Sequence, residues 1–467
     1  MPATGGELLK DRVQYVCQAC GSSSPRWMGR CPGCGSFNTM VEEKVQADRP
    51  RKTAAVSTDH PVLLDQVRQD AAIERRTTGI PEVDRVLGGG VVPGALILLG
   101  GDPGIGKSTL MLQVASLMSR DGPVLYATAE ESAQQTRLRA ERLGVGAGQL
   151  FLMDGTDLDA YEEALRSRAW RACVVDSLQT VADSALESAP GSVSQVREVA
   201  GRIMRVAKSA GIPVFLIGHV NKEGSIAGPR VVEHLVDVVL MFEGDRQHLF
   251  RMLRGVKNRF GATSELGLFH MAQEGLVAVD DPSRALLAER PRGAPGSAIA
   301  AVLEGSRPML VEVQALVSRA VGMPRRVVTG IDAAQAALVL AVLERHAGQR
   351  LHDRDVYIKI TGGVDVEDPA VDLACALAVV SSRTGIPIPD DWVLAGELGL
   401  TGEVRRAPRM QERLREAAQL GVGKALVPYE GAAALAVVPV WRIGDAIRAL
   451  GVGSGQRVED PTDDDTT

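Results

Sequence analysis

Nine consecutive residues, Gly101-Asp102-Pro103-Gly104-Ile105-Gly106-Lys107-Ser108-Thr109, restrict this chain more than any other stretch of it. They follow the apolar run Ala95-Leu96-Ile97-Leu98-Leu99 and precede Leu110-Met111-Leu112-Gln113-Val114-Ala115, a helical pattern. A strand, a glycine-rich turn and a helix start, in that order, aim backbone N–H groups at phosphate oxygens, and the helix dipole favours the negative charge. Gly104 and Gly106 permit a tight wrap that a Cβ would obstruct. Lys107 is placed to neutralise the β- and γ-phosphates of ATP, and the Ser108 hydroxyl to ligate Mg2+. The chain is therefore expected to contain an α/β domain that binds a nucleotide.

Beyond the loop, Val124-Leu125-Tyr126-Ala127-Thr128, Ala172-Cys173-Val174-Val175 and Val214-Phe215-Leu216-Ile217 are short buried runs separated by helical patterns. Such alternation predicts a mainly parallel sheet covered on both faces, with ligands collecting at the carboxyl ends of its strands. Asp176 follows one run, where a carboxylate is needed for the magnesium shell. Glu130 and Glu131 follow another; either can orient or deprotonate the attacking water, and Glu130 is the favoured of the two. His219, at the end of a third run, is a candidate sensor of the γ-phosphate.

Two polar segments, 183–198 and 221–233, leave the same expected end of the sheet, and long loops there commonly carry function. Arg197, Lys222 and Arg230 are their candidate contacts to DNA phosphates. The whole chain carries a net charge of −6, yet between Arg197 and Arg259 there are eleven Lys or Arg against six Asp or Glu. With aromatic residues at 3%, base stacking and sequence-specific readout are not expected. Lys257-Asn258-Arg259-Phe260-Gly261 is expected just after a strand at 248–254. By spacing it is either an exposed turn or, in a ring of such domains, a source of cations for a neighbour's nucleotide.

Cys17-Gln18-Ala19-Cys20-Gly21 and Cys31-Pro32-Gly33-Cys34-Gly35 make two knuckles separated by ten residues. Two-residue spacing lets both sulfurs of a knuckle reach one tetrahedral ion, so Cys17, Cys20, Cys31 and Cys34 are read as a zinc site. A module of this size cannot build a sufficient apolar core, and the metal is expected to supply much of its folding energy. Arg26, Trp27 and Arg30 lie between the knuckles; they either meet a partner or nucleic acid or, for Trp27, pack over the zinc loop. The opening residues show no secretory signal and no apolar run approaches a membrane span, so a cytoplasmic location without membrane contact is expected.

The expected division is a zinc module at 1–45, a linker at 46–70, the nucleotide-binding domain at 71–285, a second α/β domain at 290–455 and a disordered acidic tail at 456–467. In the second domain Arg405, Arg406, Arg409, Arg413 and Arg415 offer a further candidate anion surface.

Taken together, the four-cysteine module, the loop 101–109, the Lys257–Gly261 stretch and the second α/β domain, in this order, resemble the bacterial RadA (Sms) family of recombination and repair ATPases over almost the full length. The resemblance implies a zinc-ribbon-like module, a RecA-like ATPase and a Lon-protease-like domain. It also implies DNA-stimulated ATP hydrolysis, binding of single strands and branched intermediates, branch migration, a hexameric ring and a recombinase partner. A rival reading is an ATP-dependent protease. Against it, Ala370 stands where the Lon-type serine belongs and Gln411 where the lysine base belongs, leaving no nucleophile to activate. A third reading is a nucleotide-switched DNA-binding scaffold without motor activity, whose turnover would ignore DNA.

Overall fold

The computed structural model describes residues 12–45, 74–146, 148–218, 231–244 and 250–453. His219, Lys222 and Arg230, the expected linker and the expected acidic tail lie outside the described residues. Near the amino end, β1 (Arg12–Cys17), β2 (Ser23–Ser24) and β3 (Met40–Val45) form an antiparallel sheet in the order β2-β1-β3. Cys17 closes β1 opposite Met40, and these two with Cys31 are the buried apolar residues at the centre of the module.

The nucleotide-binding unit opens with helix α1 (Pro81–Leu87), started by proline and stopped by Gly88 in the left-handed region. Then come β4 (Leu96–Gly101), α2 (Lys107–Met118), β5 (Val124–Thr128), α3 (Ala133–Arg142), β6 (Leu150–Asp154), α4 (Leu158–Arg166) and β7 (Ala172–Asp176). After these lie α5 (Val193–Ala210), β8 (Val214–Ile217), α6 (Val231–Leu235), β9 (Val238–Glu243), β10 (Arg251–Asn258), β11 (Leu266–Ala272) and β12 (Gly275–Ala278). The nine strands form one sheet, β12-β11-β10-β9-β4-β8-β7-β5-β6, parallel from β9 to β6 and antiparallel through β10 to β12. Alternation along β4 sends Ile97 and Leu99 into one apolar layer and Leu96 and Leu98 into the other, all four fully buried. The sheet is thus the doubly covered one that the short apolar runs predict.

Two local expectations change. The segment 183–198 is not all loop, because α5 begins at Val193; Ser192 caps it by accepting the amide of Gln195, and Arg197 therefore stands on the exposed side of a helix. Gln195 is itself buried and straps the preceding residues: its side chain accepts from the Asp183 amide and donates to the carbonyls of Asp183, Leu186 and Ser188. Likewise the strand expected to end at 254 continues to Asn258, so Lys257 lies inside β10. A register shift between Gly255 and Lys257 against β9 lets the ladder run on past a glycine that reads as a terminator.

The chain divides into two compact units at Ala278/Val279. The second holds α7 (Pro282–Leu287), β13 (Ser297–Glu304), β14 (Arg307–Arg319), β15 (Arg326–Thr329), α8 (Ala333–His346) and β16 (Arg354–Ile360). It goes on through α9 (Asp372–Thr384), β17 (Trp392–Leu394), β18 (Glu397–Leu398), β19 (Val404–Arg405), α10 (Met410–Gln419), β20 (Lys424–Val427), β21 (Ala436–Pro439) and α11 (Ile443–Leu450). Seven strands form a mixed sheet in the order β15-β16-β14-β13-β17-β20-β21, and β18 pairs with β19 separately. Helix α7 belongs here although it falls before residue 290: the Ser283 hydroxyl donates to Glu416 (2.6 Å) and accepts from the Leu310 amide (3.0 Å). β17 and β18, only two residues apart, lie in different sheets. Among the described residues no helix is long and apolar enough to cross a membrane.

Candidate active site and metal centre

The loop 101–109 starts where β4 ends. Gly101 has φ of 152°, and a Cβ there would lie 2.4 Å from the Phe242 carbonyl oxygen on β9, so the strand can turn out of the sheet only at glycine. Gly106 (φ 116°) leads into α2, whose first residue is Lys107. The loop backbone therefore faces the positive end of a twelve-residue helix. The Lys107 ammonium curls back over the loop and donates to the carbonyls of Gly101 (2.7 Å) and Asp102 (2.9 Å). Burial lowers its pKa, and the charges of Asp176, Glu130 and Asp102 oppose that shift. Ser108 and Thr109 are half-buried in the first turn of α2, Ile105 is packed into the core, and Asp102, Pro103 and Gly104 are exposed.

Three other groups converge on the same edge. Asp176 ends β7 opposite Thr128, the last residue of β5, and the Ala129 amide donates to the Asp176 carbonyl (2.7 Å). Its carboxylate, 5% exposed, accepts a 2.7 Å hydrogen bond from the Tyr126 hydroxyl. Burial and the neighbouring Asp176 push the Tyr126 phenol well up, so it remains a donor. Glu130 is exposed, and its carboxylate accepts from the Ser177 hydroxyl. Glu131, by contrast, is ion-paired with Arg139 on α3. The fold thus brings Lys107, Asp176 and Glu130 together and turns Glu131 to another partner. Tyr126 and Ser177, which sequence reasoning passed over, hold two of the candidate site's carboxylates. The available signal was a tyrosine inside an otherwise apolar buried strand, whose hydroxyl requires a partner.

Lys257–Gly261 sits elsewhere. Asn258 pairs with Val238, and Val238 with Ile97 near the start of β4; the phosphate loop leaves β4 at Gly101, level with Phe242. At about 3.3 Å per residue, roughly 13 Å of strand separates the two levels. The stretch is not a turn of idle charges. The Lys257 ammonium donates to the carbonyls of Glu233 (2.7 Å) and Val236 (2.8 Å), closing the carboxyl end of α6. Arg259 pairs with buried Asp237 at 3.3 Å, and the Asn258 amide group reaches the Val86 and Leu87 carbonyls. Phe260 packs on the core, and a Cβ on Gly261 would stand 3.2 Å from the Asn258 amide nitrogen.

At the cysteine cluster all four Sγ atoms lie within 4.8 Å of one another, with Cys17–Cys34 at 3.8 Å and Cys20–Cys31 at 3.5 Å. A tetrahedral zinc with Zn–S near 2.3 Å needs sulfurs about 3.8 Å apart, so the donor set and spacing fit that ion. The Gly33 amide donates to Cys31 Sγ (3.3 Å), and hydrogen bonding with the Ser36 side chain and backbone holds the Cys34 thiol down to about 6. Arg30 is used inside the module, donating to the Gly35 carbonyl and lying over the Phe37 ring, whereas Trp27 is 56% exposed instead of packed.

The two positions compared with a Lon-type peptidase hold neither a nucleophile nor a base. Ala370 is fully buried and has no hydroxyl, and the Gln411 amide donates to the Tyr429 hydroxyl (2.9 Å). Arg413, expected in an anion surface, is instead among the most buried side chains, bonded to the Ala301 carbonyl and ion-paired with Asp368. Arg405 and Arg409 are paired with Glu403 and Glu412.

Family models match three stretches: "Rubredoxin metal binding domain" at 15–42, "AAA domain" at 64–225 and "Subunit ChlI of Mg-chelatase" at 317–431. Among solved structures, a KaiC-like protein of Pyrococcus horikoshii OT3 is similar at 21% identity and a TM-score of 0.37, over 44% of this chain and 99% of that one. The DNA repair protein RadA of Bacillus subtilis (strain 168) is 49% identical over 90% of this chain and 93% of its own. That of Listeria monocytogenes is 47% identical over 95% and 96%. At these identities and coverages the chain belongs to the RadA family of DNA repair proteins and is an ATP-hydrolysing enzyme.

Proposed function

We propose that this enzyme is a DNA-stimulated motor that moves on single-stranded DNA and drives branch migration of recombination intermediates. The observation that carries the reading is the separation within one subunit. Lys107, Asp176 and Glu130 meet at the carboxyl ends of the strands, whereas Lys257 and Arg259 stand level with the start of β4. Cations so placed act on a nucleotide only if that nucleotide belongs to a neighbour, as in a homohexameric ring. Family membership supports the ring, a recombinase partner and a cytoplasmic setting.

In this mechanism Lys107 neutralises the β- and γ-phosphates, and Glu130, held by the Ser177 hydroxyl, orients the attacking water and takes its proton. The Ser108 hydroxyl and the Asp176 carboxylate are the groups that would hold magnesium, which spreads the charge developing on the phosphoryl group. Tyr126 keeps that carboxylate aimed. Arg197, Lys222 and Arg230 supply phosphate contacts to the strand, and His219 is the γ-phosphate sensor.

The test is steady-state ATP turnover with and without single-stranded DNA, at two salt concentrations. A motor shows strong stimulation that falls with salt; DNA binding with unchanged turnover would instead establish a nucleotide-switched scaffold and withdraw translocation. Lys257→Ala is expected to leave nucleotide affinity within about two-fold while lowering DNA-stimulated turnover at least about ten-fold. Full DNA-stimulated turnover and movement in that variant would remove the trans role. Tyr126→Phe is expected to cost about ten- to a hundred-fold in kcat, since a hydrogen bond to a charged group contributes roughly 1.5–3 kcal/mol. The loss should shrink at high magnesium; a loss independent of magnesium would show that the tyrosine does not act through Asp176.

A further inference from the structure

The stretch Glu459-Asp460-Pro461-Thr462-Asp463-Asp464-Asp465 carries five carboxylates and no cation, and the ATP cycle makes no use of it. A run of like charge is ordinarily solvated. It acquires a seat only where the fold leaves cations of the opposite sign unpaired and within reach. The second unit has such a place at the start of α11.

The end of α8, the turn between β18 and β19 and the start of α11 meet there around Gly402. Its φ of 82° lets the turn close on α8, and a Cβ on it would lie 2.8 Å from that of His346. His346 Nε2 donates to the Leu400 carbonyl (3.0 Å), and the Ile443 amide, first in α11, donates to the Gly402 carbonyl (3.0 Å). Arg442 pairs with Glu403 in an antiparallel bridge, and the Val404 amide donates to the Trp441 carbonyl (2.8 Å). Arg345, beside His346, and Arg406, directly after β19, therefore stand around the same turn as Arg442. These three arginines are exposed and have no carboxylate partner among the described residues. Arg406 lies over the Tyr429 ring, which leaves its charge uncompensated, whereas Arg405 and Arg448 are paired with Glu403 and Asp445. Leu400 and Trp441, 64% and 49% exposed, belong to the same face.

The chain is also directed towards it. After Gly451 ends α11 in the left-handed region, Val452 is buried, and a Cβ on Gly453 would lie 2.7 Å from Ile447 Cγ2. At Gly453 the backbone has thus turned back against the helix it has just left. The eight residues of α11 span about 12 Å. Residues 454–458 extend up to roughly 16 Å, so Glu459 reaches the start of α11 and the acids after it come level with the arginines.

We propose that residues 459–465 dock on the Arg345–Arg406–Arg442 face of their own chain, an autoinhibitory contact that any other polyanion must displace. Charge complementarity supplies the attraction, and tethering makes the contact intramolecular, so individually weak ion pairs suffice. The docked segment covers Trp441.

The full-length, zinc-loaded protein is tested with Trp441 as reporter, its signal isolated by difference from Trp441→Phe. Asp463→Asn, Asp464→Asn and Asp465→Asn together are expected to raise acrylamide quenching of Trp441 at least about two-fold, as is salt at about 1 M, where screening acts within roughly 3 Å. Arg345→Glu with Arg442→Glu should do the same at low salt, and changing the three aspartates to Lys in that background should restore protection. Both arginines are exposed, so the melting temperature should stay where it was. Heparin, a polyanion probe, should bind the tail-neutralised protein at least about three-fold tighter, a gain that disappears in the Arg345→Glu, Arg442→Glu background. Quenching unchanged by the Asn variant overturns the docking. A response to the tail variant without one to the arginine variant overturns this seat. Protection that grows with protein concentration overturns docking within one chain in favour of a neighbour's tail. A heparin gain that persists in the arginine background overturns the competition.

Discussion

Lys107→Ala is expected to reduce ATP turnover at least a hundred-fold, to background, whether or not single-stranded DNA is present. Removing one preorganised donor to developing transition-state charge costs about 10²–10³ in kcat, and a full ammonium over the phosphates is a stronger donor than most. The fold should not suffer. Burial lowers the Lys107 pKa, so folding disfavours its charge, and alanine removes that penalty while leaving the Gly101 and Asp102 carbonyls without this donor, two effects of opposite sign. A melting temperature within a few degrees of the wild type, with turnover lost, separates a catalytic effect from an unfolding one. Phosphate release measured in parallel on both proteins decides it. Residual DNA-stimulated turnover above a few percent in a contaminant-free preparation would place the phosphate charge on another group.

The same residues show what a sequence discloses and what it withholds. Loop 101–109 was legible because each requirement of phosphate binding is local: the glycines lie where φ is positive, and the lysine begins the helix that the loop feeds. Likewise the cysteine spacing states its own geometry. Choosing between Glu130 and Glu131 turns on Arg139, eight residues beyond Glu131 on α3, whose pairing with Glu131 shows only once the helix is placed. Tyr126 and Asp176 are fifty positions apart and meet only through the pairing of β5 with β7. The Lys257 stretch was misplaced for a different reason: Gly255 looks like the end of a strand, and only the ladder with β9 reveals a bulge through which the strand continues. Charge counting also failed at Arg413, since a count cannot distinguish an arginine facing solvent from one buried against Asp368. Motifs set by chain-local geometry were readable; residues whose partners arrive through strand order were not.

Removal of zinc is the perturbation expected to act most strongly on structure. The module's buried apolar centre consists of Cys17, Cys31 and Met40, so two of its three members are themselves candidate ligands. Without the ion their thiolates lose their common partner, and four sulfurs within 4.8 Å of one another repel as they ionise. Structural zinc in modules of this size carries roughly 10–16 kcal/mol of apparent binding energy, more than so small a core can replace. Cys17→Ser, or a strong chelator, should therefore abolish the stoichiometric zinc and the amide-exchange protection of β1 and β3. The melting transition of the nucleotide-binding unit should stay where it was, because its own apolar layers around β4 are separate from that centre. Retained protection in a zinc-free Cys17→Ser protein would show that the three-stranded sheet stands without metal. Measuring ATP turnover on the same zinc-free sample adds the functional half: if DNA stimulation survives, the module serves a partner outside the hydrolytic cycle, and if stimulation is lost while basal turnover remains, it lies on the path by which DNA reaches Glu130 and Lys107.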